Sequence, residues 1–269
     1  MNSASLAPRL LSRGEAFGSA AARFRGRPLW KGYGKAMSNR AIVEDSAPNH
    51  PRGYLKKLVL FCAIVVCAYQ ARTSQLAVML LSAANLQGHL PSDWQIKANH
   101  GKPDISVCSQ KDQPCIHLKS DKSSFYLERA VDVDPSATPY LSWNWKVTKL
   151  PLGGDFRKAS TDDQAAQVLV AFADRRVLTY IWDSSAPKGT MQNASNIPLL
   201  RIYAVVCESG PTEADRWVQE SHNVASDYEH AYGKPAPHIK GLRLQINSQH
   251  TGSMAESFFG DVAFRSASN

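Results

Sequence analysis

From residue 90 onward, apolar side chains recur at every second position in short runs interrupted by Gly, Pro, Asp and Asn. "DWQIKA", "DISVCS", "CIHLKS" and "SFYLERAVDV" come first. "PYLSWNWKV", "QAAQVLVAFA", "VLTYIWD", "PLLRIYAVVCE", "RWVQES", "HIKGLRLQIN" and "ESFFGDVAF" follow. A period of two with turn residues between the runs is the mark of strands. About eleven strands at this spacing predict an all-β fold, an antiparallel β-sandwich of jelly-roll type. A parallel α/β sheet needs helices between its strands, and one good short helix is visible. In "NVASDYEHAYG", Val224, Tyr228 and Ala231 share a face, and Gly233 and Pro235 end it.

The stretch "YLSWNWKV" fixes the orientation of one strand. Leu141, Trp143, Trp145 and Val147 fall on one face, and Tyr140, Ser142, Asn144 and Lys146 on the other. A wholly apolar face beside a mixed one belongs to a half-buried strand. Trp143 and Trp145 are therefore assigned to packing between sheets, and a ligand on this strand would meet Asn144 and its neighbours.

Upstream the pattern changes. Residues 1 to 54 are rich in Arg, Ala, Ser, Gly and Pro without sustained period and read as a basic disordered leader. Lys56 and Lys57 then precede fourteen mostly apolar residues, Leu58 to Ala71; a polar break and a second apolar piece, Leu76 to Ala84, follow. Spanning a bilayer takes about 20 apolar residues, so residues 55–84 read as a signal peptide cleaved after Ala84, with Val66 and Ala68 marking a second site. Joining both pieces gives the alternative, an uncleaved signal anchor with Arg72 near its centre. The protein is expected to be exported, to the periplasm or tethered to the membrane, with residues 85–269 as one sandwich domain.

Charge sharpens this division. Residues 1–57 carry eleven Lys or Arg against three acids, whereas residues 85–269 carry nineteen against twenty. The formal net charge of +8 thus resides in the leader. Nucleic-acid binding by the folded part loses its support, because neutralising phosphates takes clustered cations. Three cysteines lie beyond the leader. Cys108 and Cys115 flank a polar turn and can pair in an oxidising compartment. Cys207, in "IYAVVC", reads as a buried thiol.

Candidate chemistry is sparse. Asp155, Asp162 and Asp163 lie within nine residues, and their oxygens are of the type calcium takes. A solvated polar loop explains them as well, so no metal and no cofactor are expected. Adjacent acids on an extended segment point to opposite sides, and pairing Asp163 with Asp183 or Glu256 for glycoside hydrolysis would need a set separation that sequence spacing does not fix. Nucleophile elbows, phosphate loops and dinucleotide fingerprints are missing. His222 and His230, eight apart without a third ligand, read as surface groups. Trp182 ends a strand and enters the loop "DSSAPKGTMQN", where it either stacks on a ligand at the rim or plugs the core. Asn193, in the same loop, opens an Asn-Ala-Ser glycosylation acceptor.

Read in order, "YLSWNWKVTKLP", "TDDQAAQVLVAF", "LTYIWDSSAPKGT" and "GLRLQINSQHTGSMAESFFGDVAF" resemble the bacterial exported proteins grouped as domain of unknown function 3047, over nearly all of residues 90–265. Trp143 and Trp145 match that family's Trp-x-Trp, and Asp162 and Asp163 its acidic pair. Trp182, Pro187 and Gly189 match a third motif, and Thr251, Gly252, Gly260 and Asp261 a fourth. The resemblance implies structural roles for Gly189, Gly260 and Asp261, but no assigned activity. One departure stands out. Where the family usually shows Thr-Asp-Thr-Asp-Asn-Thr-Gly, this chain has "INSQHTG", so Asn247 and Gln249 replace two carboxylates. The closing "AESFFGDVAF" is similar to the last strand of galactose-binding-like jelly rolls, an analogy of fold.

The expected function is non-catalytic binding of a glycan or cell-envelope component. The site would be built on the loops around Asp155–Asp163 and Trp182–Asn193 with Asn144 between them. The alternatives are an enzyme acting on envelope polysaccharide through paired carboxylates, and a structural or assembly factor. Convergence of Asn144, Asp163 and Trp182 on one concavity is the geometric requirement of that site.

Overall fold

The computed structural model describes residues 76–194 and 201–268. The leader and the first apolar piece lie outside the described residues. Within them, thirteen strands numbered in chain order form two sheets. The six-stranded sheet contains β1 (Ala77–Leu81), β3 (Ile105–Gln110), β4 (Gln113–Asp121), β6 (Tyr140–Lys149), β11 (Val218–Asn223) and β13 (Met254–Arg265), in the order β11-β6-β13-β4-β3 with β1 also on β13. The seven-stranded sheet runs β2-β5-β12-β7-β8-β10-β9. Its members are β2 (Gln95–His100), β5 (Ser124–Val133), β7 (Ala166–Phe172), β8 (Arg176–Asp183), β9 (Met191–Asn193), β10 (Arg201–Ser209) and β12 (Ile239–Asn247). The fold is thus an all-β sandwich with one short helix, α1 (Val224–Tyr232).

Alternation makes the core. Leu141, Trp143, Trp145 and Val147 of β6 are buried against Val168, Val170, Leu178, Tyr180, Trp182, Leu242, Leu244 and Ile246 of the other sheet. The indoles of Trp143 and Trp145 meet edge-on, with centroids 5.3 Å apart, and Trp145 also packs on Trp182 at 5.8 Å. Truncating a buried Trp of this kind costs about 3–5 kcal/mol.

Local chemistry sets the element ends. Asn223 caps α1 by accepting from the Ser226 N–H at 3.0 Å, and Gly233 closes it in the left-handed region (φ +69°). The β3–β4 hairpin turns on Lys111 and Asp112, both at positive φ, as two-residue hairpins prefer. Cys108 and Cys115 stand directly opposite each other in that hairpin, Cα atoms 5.1 Å apart, and are joined by a disulfide.

Two features differ from expectation. First, the sandwich begins at Ala77 rather than at residue 85. β1 pairs with the end of β13, Leu80, Leu81 and Ala83 are buried, and Asp261 Oδ1 accepts from the Ala83 N–H at 2.7 Å. The second apolar piece is therefore a strand filling a vacant edge of β13, and a cut after Ala84 would remove it. Second, β8 and β10 are parallel, so the chain must cross over between them; β9 lies between the two in sequence and pairs antiparallel with β10. Among the described residues no helix is long and apolar enough to cross a membrane.

Candidate functional site

The seven-stranded sheet buries one face and turns the other outward. Its register lines the outward side chains up in rows. Lys97, Tyr126, Gln245, Gln167 and Ile181 form one, crossing β2, β5, β12, β7 and β8. Glu128, Arg243, Leu169, Thr179 and Ala204 form the next. A cavity of about 350 Å³ opens on this face. Leu169, Ile181, Ile202 and Ala204 give it an apolar floor, and the amides of Asn99, Gln164, Gln167, Gln245, Asn247 and Gln249 line it with Ser124 and Thr179. Asp162, Arg243 and His250 supply the charged or titratable groups, and Phe156 closes a wall.

Loops are locked around this floor by carboxylates. Asp163 is fully buried; its two oxygens accept from the backbone N–H groups of His250 (3.3 Å) and Thr251 (2.6 Å). It thereby ties the turn after β12 to the segment before β7. Gly154 passes so close that a Cβ there would lie 2.5 Å from the Asp163 carbonyl oxygen, which requires glycine. Asp183 accepts from the N–H groups of Phe156 (3.0 Å), Ser185 (2.8 Å) and Ala186 (2.7 Å), and burial pushes its carboxyl up. Asp155 is engaged by the Arg157 guanidinium at 2.7 and 2.9 Å, which holds it down to about 2. These three acids are fasteners with their oxygens committed.

Asn247 organises the cavity edge. Its Oδ1 accepts from the Gln164 N–H (2.9 Å) and from Gln167 Nε2 (2.6 Å), and its Nδ2 donates to the Asp162 carbonyl (2.6 Å). The Asp162 carboxylate accepts from Gln164 Nε2 at 2.9 Å, and burial pushes it above the ordinary carboxylate range. Across the face, the Arg243 guanidinium lies 3.6 Å over the Tyr126 ring and donates to Glu128 at 2.8 Å, which also pairs with Lys97. Two polar atoms of cavity residues, Thr179 Oγ1 and Gln249 Oε1, are buried without a hydrogen-bond partner among the described residues. Such groups are costly unless something satisfies them.

The six residues expected to bind ligand do not converge. Asp162 lines the cavity. Asp163 and Asp155 sit behind its edge in the bonds just described. Trp182 is 0% exposed and faces the core, its Nε1 donating to the Gly210 carbonyl at 3.0 Å; it offers no stacking face. Asn144 projects from the outward face of the other sheet, where a Cβ on Gly260 would approach its own Cβ to 3.2 Å. Asn193 is exposed on β9, opposite Tyr203. The composite site joining Asn144, Asp163 and Trp182 is set aside, because two faces and the core separate them. The groups it missed, Gln167, Arg243, Gln245 and Thr179, occupy the polar positions of "QVLVAF", "LTYIWD" and "LRLQIN". The same alternation that buries their neighbours would have found them.

Solved structures with similar folds share little sequence. The xyloglucanase domain of NopAA, a type three effector from Sinorhizobium fredii, is 7% identical with a TM-score of 0.43, covering 68% of this chain and 99% of that one. The family 11 carbohydrate-binding module of the Clostridium thermocellum cellulase Lic26A-Cel5E is 9% identical with a TM-score of 0.38, covering 70% and 94%. A family 29 carbohydrate-binding module is 7% identical with a TM-score of 0.37, covering 72% and 93%. No curated protein matches the chain. The family model described as protein of unknown function (DUF3047) matches residues 92–263, well over half the chain, and the chain therefore belongs to that family.

Proposed function

We propose that this protein binds a neutral, hydroxyl-rich ligand, a glycan or other cell-envelope component, on the outward face of its seven-stranded sheet, without turning it over. The observation that carries this reading is the cavity's make-up: an apolar floor ringed by side-chain amides, with the Thr179 hydroxyl and the Gln249 carbonyl unpaired among the described residues. Amides both donate and accept, which suits hydroxyls that do the same, and apolar floors with a few placed polar groups are the usual form of small-ligand sites. Where the family pattern has two acids, Asn247 and Gln249 place two neutral amides on the cavity lining here. The paired-carboxylate alternative is disfavoured because both Asp163 oxygens accept backbone N–H bonds, leaving Asp162 as the carboxylate lining the cavity.

Export belongs to the same proposal. The short apolar run behind Lys56 and Lys57 and a disulfide between Cys108 and Cys115 both suit an oxidising compartment outside the cytoplasm.

Screening the full-length protein against an array of neutral and acidic glycans tests the reading. Binding to neutral glycans is expected, with Gln245→Ala and Gln167→Ala each weakening it about tenfold, as loss of a buried hydrogen bond does, and Asn144→Ala leaving it unchanged. Affinity indifferent to both Gln substitutions would move the site elsewhere.

A further inference from the structure

On the opposite side of β10 from the cavity, between the sheets, three side chains of different chemistry converge. Cys207 points inward from β10, and Glu220 and His222, two apart on the edge strand β11, point inward from the other sheet. His222 Nε2 lies 3.4 Å from Cys207 Sγ and 3.8 Å from Glu220 Oε2. The three donor atoms all lie within 4.8 Å of one another. We propose that Cys207, Glu220 and His222 form a binding site for a zinc-class divalent metal ion, independent of the ligand cavity.

Geometry favours this assignment. Zinc bonds to sulfur at about 2.3 Å and to nitrogen or oxygen at about 2.0–2.2 Å, so tetrahedral ligand atoms stand about 3.3–3.6 Å apart. The Cys207–His222 spacing falls within that range, and the Glu220–His222 spacing is only slightly longer. Thiolate, imidazole and carboxylate together are the donor set of a borderline cation, not of calcium or magnesium. The other imidazole nitrogen, Nδ1, faces Asp227 Oδ2 at 3.5 Å, and Asp227 is itself held by the Tyr180 hydroxyl at 2.8 Å. A carboxylate behind a histidine in this way fixes the ring and its tautomer for metal binding. The ring is further packed by Trp143, centroids 5.5 Å apart, and Tyr180, 4.6 Å.

Glu220 distinguishes a metal site from a plain thiol–imidazole hydrogen bond. A two-membered pair would account for Cys207 and His222 alone, yet Glu220 aims at the same ring nitrogen, and its Oε1 is buried without a partner among the described residues. Nearby Lys188 is taken by Glu208 at 2.5 Å. A cation at the centroid would satisfy the carboxylate, the imidazole lone pair and the sulfur together. Binding would release the Cys207 thiol proton to solvent, so affinity should rise with pH. Three protein ligands leave a tetrahedral ion one further position, on the side where His222 is 24% exposed.

The test uses the untagged full chain, stripped of metal and kept free of reductant, titrated first with Co2+ and then with Zn2+. One equivalent of Co2+ is expected to give tetrahedral d–d bands and a thiolate-to-cobalt charge-transfer band, both abolished by Zn2+ and not by Ca2+. Cys207→Ser should lose the charge-transfer band. Asp227→Asn, which touches no ion, should keep that band and weaken Zn2+ binding about 10- to 100-fold. Glu220→Gln, close in shape, should weaken Zn2+ binding while leaving the circular dichroism unchanged. Absence of the cobalt bands in the wild-type chain overturns the proposal, whatever the variants do. So does a charge-transfer band that persists in Cys207→Ser, which would place the thiolate elsewhere.

Discussion

Asp162 is a carboxylate kept where it is uncomfortable. Burial raises its proton affinity above that of the unfolded chain, so its relative contribution is favourable below the unfolded value and is lost as pH rises through the folded one. At neutral pH the ionised group is therefore a cost. Asp162→Asn, which can still accept from Gln164, should raise the melting temperature at pH 7, by about 2–4 °C for each kcal/mol relieved. The gain should vanish by about pH 4, and ligand affinity should fall. Thermal scans of both proteins across that window check it, and an Asn variant less stable at pH 7 would contradict the sign. Asp155 has the opposite sense. Held down by Arg157, it supports the fold above the unfolded value and loses that support as pH falls toward about 2. Neighbouring acids in one loop thus play different parts, and only their partners reveal which is which. Trp182 teaches a related lesson. The alternation of "LTYIWD" already put Leu178, Tyr180 and Trp182 on one face, and that periodicity was the better guide than nearness to a loop.

At the scale of elements, β1 carries the sharpest consequence. It completes an edge of β13 and brings Leu80 and Leu81 into the core. A protein truncated through Ala84 should lose cooperative stability, whereas processing N-terminal to Ala77 should leave the sandwich intact. N-terminal sequencing of the protein recovered from its host cell is expected to read a start before Ala77, and a start at Asn85 would refute this. Most strands were legible because a half-buried strand must alternate. β1 was not, since five apolar residues next to an export-like run have the composition of either. The parallel pairing of β8 with β10 was equally hidden, because strand order follows from long-range packing and leaves no local mark. The cavity escaped for another reason: its working groups are amides spread over separate strands, and no spacing within one segment connects them.

For the molecule as a whole, charge is divided by position. The basic excess lies in residues 1–57, and residues 85–269 are nearly balanced. Recognition at the cavity should therefore rest on hydrogen bonds and packing rather than on long-range attraction. Glycan affinity is expected to change less than about twofold over an about tenfold rise in salt, in contrast to the steep loss that phosphate contacts would produce. Titration at two ionic strengths decides it, and a steep loss would point to an anionic ligand instead. The two proposed sites lie on opposite faces of β10, with Ala204 turned to the cavity and Cys207 to the interior. The parallel seam between β8 and β10 runs beneath the cavity, with Thr179 and Ile181 on one bank and Ile202 and Ala204 on the other. Whatever settles there spans the join, and so acts as a clasp fastening the outer margin of the sheet to its middle.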